Sequence, residues 1–149
     1  MNQSNKYCES LTKYLRRKSR VVHIGDVPLG GDYPVRVQSM TTTDTMNTQA
    51  TVEQSIRMIK AGCEYVRITA PSIKEAQNLA NIKVQLRKQG YTTPLIADIH
   101  FTPNAALEAA RIVEKVRINP GNFADRKKFQ EIEYTDKSYN DELERIHDR

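Results

Sequence analysis

Along this chain short apolar runs alternate with longer amphipathic segments, the pattern of βα units feeding a parallel sheet. The segment from Tyr7 to Lys18 carries Leu11, Tyr14 and Leu15 on one side and predicts a short helix. In "RVVHIGDVPLGG" two apolar runs flank a Gly-Asp pair, which predicts a β-hairpin. "PVRVQSM" follows as a strand. Val52, Ile56 and Ile59 form a helical stripe that stops at Gly62, and Thr51 and Gln54 have the spacing of a capping box. "EYVRIT" is the next strand. Ser72 and Glu75 form a second capping box before a face of Ala76, Leu79, the Lys83 stem and Leu86, with Gly90 as the stop. "PLIADIH" then reads as a strand, and Thr102 before Pro103 as the cap of a helix through Ala106, Leu107, Ala110 and Val113. "VRINP" closes the series.

Strands recurring at roughly 20 to 30 residues have the size of βα repeats. The predicted fold class is α/β: the N-terminal half of a TIM (β/α)8 barrel, preceded by a short helix and a β-hairpin. The expected boundaries are an N-terminal helix over 1–19, a hairpin plugging the barrel bottom over 20–34, and four βα units over 35–132. A charged helical tail occupies 133–149, with its helix from about Ser138 and no fifth strand. The chain reads as the N-terminal part of something longer, because a half-closed parallel sheet exposes edges that self-associate or need covering.

Composition narrows the classes. The 149 residues suffice for one domain with a core, and the net charge of +5 is mild. Arg16, Arg17, Lys18 and Arg20 cluster without a nucleic-acid recognition signature, so a solvated helix end is the simpler reading. The two cysteines, Cys8 and Cys63, have no metal-ligand spacing and read as free thiols in a reducing compartment. The start "MNQSNKYCES" lacks the apolar core of a secretory signal, and no stretch has the length of a membrane span, so a cytoplasmic protein is expected.

The chemistry concentrates at strand ends. Arg67 and Thr69, Asp98 and His100, and Arg117 and Asn119 each stand two apart, so each pair points to one face of its strand. In a parallel barrel the C-terminal strand ends carry the active site. Two guanidiniums there suit an anionic, phosphorylated substrate, or else pair with a neighbouring carboxylate such as Asp98. Asp98 and His100 are candidates for proton transfer, for positioning a hydroxyl, or for bonding only to the scaffold. "NPGN" is either a phosphate-cradling turn or a plain one. "QSMTTTDT" offers hydroxyls to a substrate or is a solvated loop, with Gln38 expected near the mouth.

"VVHIGDVPLGGDYPVRVQSMTTTDT", "AGCEYVRIT", "ADIHF" and "VRINPGN", in this order, resemble the 4-hydroxy-3-methylbut-2-enyl diphosphate synthase family from about Arg20 to Phe129. Asp26 stands where the family pattern has asparagine, in the hairpin and away from the mouth. The tail "EYTDKSYNDELERI" is similar to the long, three-domain branch of the family, found in plants and some bacteria. The resemblance implies an oxidoreductase of non-mevalonate isoprenoid biosynthesis that opens 2-C-methyl-D-erythritol 2,4-cyclodiphosphate, with electrons from ferredoxin or flavodoxin. It implies substrate contacts from Gln38, Arg67, Arg117 and Asn119, catalytic roles for Asp98 and His100, and a homodimer. Location in the plastid stroma is the alternative for a plant chain, although no transit peptide is seen. It also implies a [4Fe–4S] cluster in a C-terminal domain. Cys8 and Cys63 do not form its ligand set, so no cluster and no turnover are expected of these 149 residues alone. A pterin- or phosphate-handling barrel of the dihydropteroate-synthase type, or a non-catalytic phosphate-binding module, shares the strand-end logic.

Overall fold

A computed structural model of the chain describes residues 10, 12–13, 18–123 and 132–148. Most of the helix expected over Tyr7 to Lys18 falls outside these residues. The hairpin comes first: β1 (Val22–Ile24) and β2 (Val27–Leu29) pair antiparallel, with Ile24 opposite Val27 across the Gly25-Asp26 turn. Four parallel strands follow in sequence order: β3 (Gln38–Met40), β4 (Tyr65–Thr69), β5 (Leu95–Ile99) and β6 (Lys115–Ile118). Helices α1 (Thr48–Lys60), α2 (Ile73–Lys88) and α3 (Pro103–Ala110) connect them. A short α4 (Pro120–Phe123) and a last helix, α5 (Asp136–His147), complete the described elements.

Strand register sorts the side chains. Rungs run Met40–Arg67–Ile96–Lys115 and Thr69–Asp98–Arg117, and rung mates share a face. The opposite face carries Val66, Ile68, Leu95, Ala97 and Ile99, packed against Val52, Leu79, Ile82, Leu86, Ala105 and Ala109 of the helices. That sandwich is the main core. The rung face is split along its length. Near the strand starts, Tyr65 and Ile96 form a small cluster with Ile24, Val27 and Leu29 of the hairpin, and the Tyr65 hydroxyl donates to the Val27 carbonyl at 3.1 Å. The hairpin thus covers the lower part of the inward face. Arg36 ties it down, donating through Nε to the Pro28 carbonyl at 2.8 Å and through Nη1 to Glu64 at 2.6 Å.

Helix ends differ in part from the sequence pattern. Helix α1 begins three residues before Thr51, capped by Asn47, whose Oδ1 accepts from the Ala50 amide at 3.1 Å. Thr51 is instead fully buried inside the helix, and Gln54 reaches back to the preceding loop. An asparagine outside the first turn serves as the cap that the Thr51–Gln54 spacing imitated. Ser72 does cap α2, accepting from the Lys74 amide, and its hydroxyl also bonds Glu75. Thr102 precedes α3, but its hydroxyl donates to the Pro71 carbonyl at 3.1 Å rather than to the helix. Gly62 and Gly90 follow their C-caps with φ of 100° and 82°, the left-handed step that glycine takes without a Cβ clash.

Candidate functional site

Asp98 is the centre of the polar part of the inward face. It sits on the middle strand β5 and is 1% exposed. Arg67 on β4 donates through Nη2 to its Oδ2 at 2.7 Å, and Arg117 on β6 donates through Nη1 to its Oδ1 at 3.1 Å. His100, one turn of the alternation beyond, places Nε2 3.5 Å from Oδ2 and its ring 5.8 Å from that of Phe101. The strand-end pairs therefore converge. The carboxylate pairing weighed as the simpler role for the arginines is present, and it is one shared carboxylate that takes both. Each guanidinium carries five N–H donors, so Asp98 engages a minority of them. The Arg67 Nε is buried with no hydrogen-bond partner among the described residues. Two fixed positive charges face one carboxyl group, which leaves the cluster short of anionic charge.

Asn119 follows β6 and its Oδ1 accepts from the Gly121 amide at 3.3 Å. This local turn directs the carbonyl inward on the chain and leaves the amide N–H pair for other acceptors. Gln38 requires a correction. The strand was expected to run through "PVRVQSM" with Gln38 near its end, but β3 opens at Gln38, opposite Tyr65. The residue lies two rungs below Arg67, at the hairpin end of the face. The mouth-side position on β3 is instead held by Met40 and the loop after it.

That loop is solvated in part, with Thr42 and Asp44 exposed, and pinned in part, with Thr41 and Thr45 buried. Gln54 Oε1 accepts from the Thr42 and Thr43 amides at 3.0 and 3.2 Å, and Thr43 and Thr51 hydroxyls meet at 2.9 Å. The Thr45 hydroxyl donates to the Thr69 carbonyl at 2.6 Å, while Asn78 Nδ2 donates to the Thr45 carbonyl at 2.7 Å. The loop is a braced wall beside Thr69. Replacing Thr45 by valine, which keeps shape and removes the donor, is expected to cost about 1 kcal/mol in urea unfolding. An unchanged midpoint would show the brace to be idle.

Sequence reasoning missed Lys115. It stands on the same rung as Arg67 and Ile96, so it adds a third cation to the inward face. The i, i+2 spacing from Lys115 to Arg117 carried this signal. Sequence reasoning also missed Asn78, a buried helix residue whose role depends on a loop thirty-three positions away in the chain.

Among the described residues, no three His, Cys, Asp or Glu side chains converge, and Cys63, half-buried after α1, is the one cysteine. Iron–sulfur clusters need grouped thiolates, and the described residues do not fit one. No helix among them is long and apolar enough to cross a membrane.

The comparisons with known proteins agree with this architecture. Residues 19–143 match the family model described as the GcpE TIM-barrel domain. The chain is 59% identical over 137 residues to a 4-hydroxy-3-methylbut-2-en-1-yl diphosphate synthase (flavodoxin) of Parabacteroides distasonis, covering 91% of this chain and 22% of that relative. It is 55% identical over 140 residues to the protein of the same name from Bacteroides thetaiotaomicron, covering 93% and 23%. With the protein of that name from Leptospira interrogans it shares 53% identity over 141 residues, covering 95% and 21%. The chain thus spans about a fifth of the length of these curated relatives. A parallel α/β sheet with its polar cluster at the strand ends, and a family match across most of its length, place this chain in the GcpE TIM-barrel domain family.

Proposed function

We propose that the inward face at the strand ends binds the diphosphate of 2-C-methyl-D-erythritol 2,4-cyclodiphosphate. It would do so as part of an oxidoreductase that opens this ring to 4-hydroxy-3-methylbut-2-enyl diphosphate in isoprenoid biosynthesis. The shared name of the relatives supports the reaction, and their designation favours flavodoxin over ferredoxin as the electron donor. The observation that carries the binding role is the convergence of Arg67 and Arg117, from strands on either side of β5, on one buried carboxylate.

In this reading Asp98 is the spacer that sets the two guanidiniums. It fixes their separation while leaving most of their N–H donors free, and a planar guanidinium fork matches phosphate oxygens. Asn119 adds amide donors at the end of β6. Asp98 is committed to the arginines, so proton traffic falls to His100, which can hold or pass a proton beside the bound ring. A [4Fe–4S] cluster would supply electrons in the complete protein. No described residue is placed to hold it, and the roles above are binding, orientation and proton handling.

Calorimetric titration of the chain with the cyclodiphosphate tests this. Saturable binding is expected, and Arg117→Ala should weaken it about tenfold, the loss of one charged hydrogen bond at a half-exposed site. Equal affinity of wild type and Arg117→Ala would remove this arginine from the site and the proposal with it.

A further inference from the structure

Helix α2 buries a polar side chain whose hydrogen bonds lead toward the site rather than into the core. Ala76, Leu79, Ile82 and Leu86 make the helix face that packs on the sheet. Asn78 is buried as well, at 9% exposure. An amide withdrawn from water costs free energy unless it is bonded, and asparagine is a weaker helix former than alanine or leucine. Packing alone would be better served by an apolar residue. Asn78 instead donates through Nδ2 to the Thr45 carbonyl at 2.7 Å, while its Oδ1 accepts from Asn81 at 2.8 Å.

The next links run through the strand ends. The Thr41 amide donates to the Arg67 carbonyl at 2.9 Å, which continues the β3–β4 ladder past Met40. A parallel ladder would next offer the Thr43 amide to the Thr69 carbonyl, but Thr43 gives that amide to Gln54. The Thr45 hydroxyl takes its place, 2.6 Å from the Thr69 oxygen. On the other side of the same peptide, the Ala70 amide donates to the Asp98 carbonyl at 3.0 Å. The Thr69–Ala70 peptide is therefore held from both sides. Three hydrogen bonds thus join Asn78 to the main chain of Asp98, whose carboxylate takes both Arg67 and Arg117.

We propose that Asn78 is a positioning residue for the diphosphate site, acting through Thr45 to fix the end of β4 against Asp98. The inference rests on the binding role given above to Arg67 and Arg117. Asp98 sets the separation of the two guanidiniums, so a small shift of β5 against the end of β4 moves their common anchor. Supporting hydrogen bonds behind a site keep its groups within about 0.5 Å of the productive geometry. The partners of Asn78 are Thr45, Thr48 and Asn81, so its effect reaches the arginines only through the strand ends.

The test is calorimetric titration of the 149-residue chain with the cyclodiphosphate, together with nuclear magnetic resonance of the Ala70 amide and the Arg67 and Arg117 Nε–H groups without ligand. Asn78→Ala and Thr45→Val should each weaken binding about fivefold, the worth of one neutral hydrogen bond, and shift these signals. Thr45→Ser keeps the donor and should restore both readouts. The double variant should bind no more weakly than either single one, because both cut the same line. Ile82→Val thins the core under the same helix, so it should lower the urea midpoint and leave affinity and signals unchanged. Where Asn78→Ala lowers the folded fraction, the Thr45→Val and Thr45→Ser pair reads the same line. Full affinity in both single variants beside a binding wild type would overturn the inference alone. So would additive losses in the double variant, or an equal loss in Ile82→Val. A wild-type chain that does not bind would overturn the reading of the arginines, and the inference with it.

Discussion

Replacing Asp98 by alanine is expected to cost the fold about 3–5 kcal/mol, the scale for removing one member of a buried charge pair. The carboxylate is 1% exposed and accepts from two guanidiniums, at 2.7 and 3.1 Å. Without it, Arg67 and Arg117 keep their charges and repel each other across the position it held. Arg67 already has one buried nitrogen without a hydrogen-bond partner among the described residues. Asp98→Asn keeps the volume and one acceptor, so it should fall between wild type and alanine. Adding Arg117→Ala to Asp98→Ala should recover part of the loss, since one stranded charge is removed along with its counterpart. Urea unfolding followed by circular dichroism gives these differences from the midpoints. A domain of ordinary stability holds about 5–15 kcal/mol in total, so the asparagine variant keeps the comparison measurable where alanine leaves little folded chain. A shift below about 0.5 kcal/mol for Asp98→Asn would show that the carboxylate does not organise the cluster.

The fold was legible because its signals are local. Period-2 runs became β3 to β6, the stripes of Val52 and Leu79 became helix faces in the core, and the Gly-Asp pair turned a hairpin. The strand-end pairs were legible too, since alternation alone puts Arg67 with Thr69 and Arg117 with Asn119. What local pattern does not carry is register. Gln38 was misplaced because a strand's first residue cannot be read from a run of alternating side chains that extends beyond the hydrogen-bonded ladder. That both arginines share one aspartate is a fact about rungs between strands nineteen and thirty-one residues apart. Likewise nothing in the threonine run itself shows that Gln54 and Asn78, on two different helices, tie part of it down.

A second carboxylate, Glu114, is expected to set the acid limit of the same sheet. It stands just before β6, where Oε1 meets Lys83 Nζ at 2.9 Å and Arg87 Nη2 at 3.1 Å, and Oε2 accepts from the Leu95 amide at 2.8 Å. One side chain therefore ties α2, the start of β5 and the start of β6 together. Burial pushes its carboxyl upward, but the Leu95 amide and then Lys83 outweigh that and hold it below the ordinary value of 4.5. A carboxyl held lower in the folded state binds its proton less readily there than in the unfolded chain. Its contribution is thus fully present above the unfolded value and is lost as pH falls through the folded one. Glu114→Gln keeps the shape and removes the charge, so it should cost about 2–3 kcal/mol at pH 7, the scale for charged hydrogen bonds at a largely buried site. As pH falls through that lowered value the wild-type residue takes up its proton and the two proteins should converge. Glu64 and Glu75 are also held low, by the Val37 amide with Arg36 and by Ser72 respectively. Both are common to wild type and variant, so they cancel in the difference. Paired urea titrations at pH 7 and over a series of falling acid pH values decide the matter. A gap of equal size at pH 7 and throughout the acid series would mean that shape, and not charge, makes Glu114 the tie between helix and sheet.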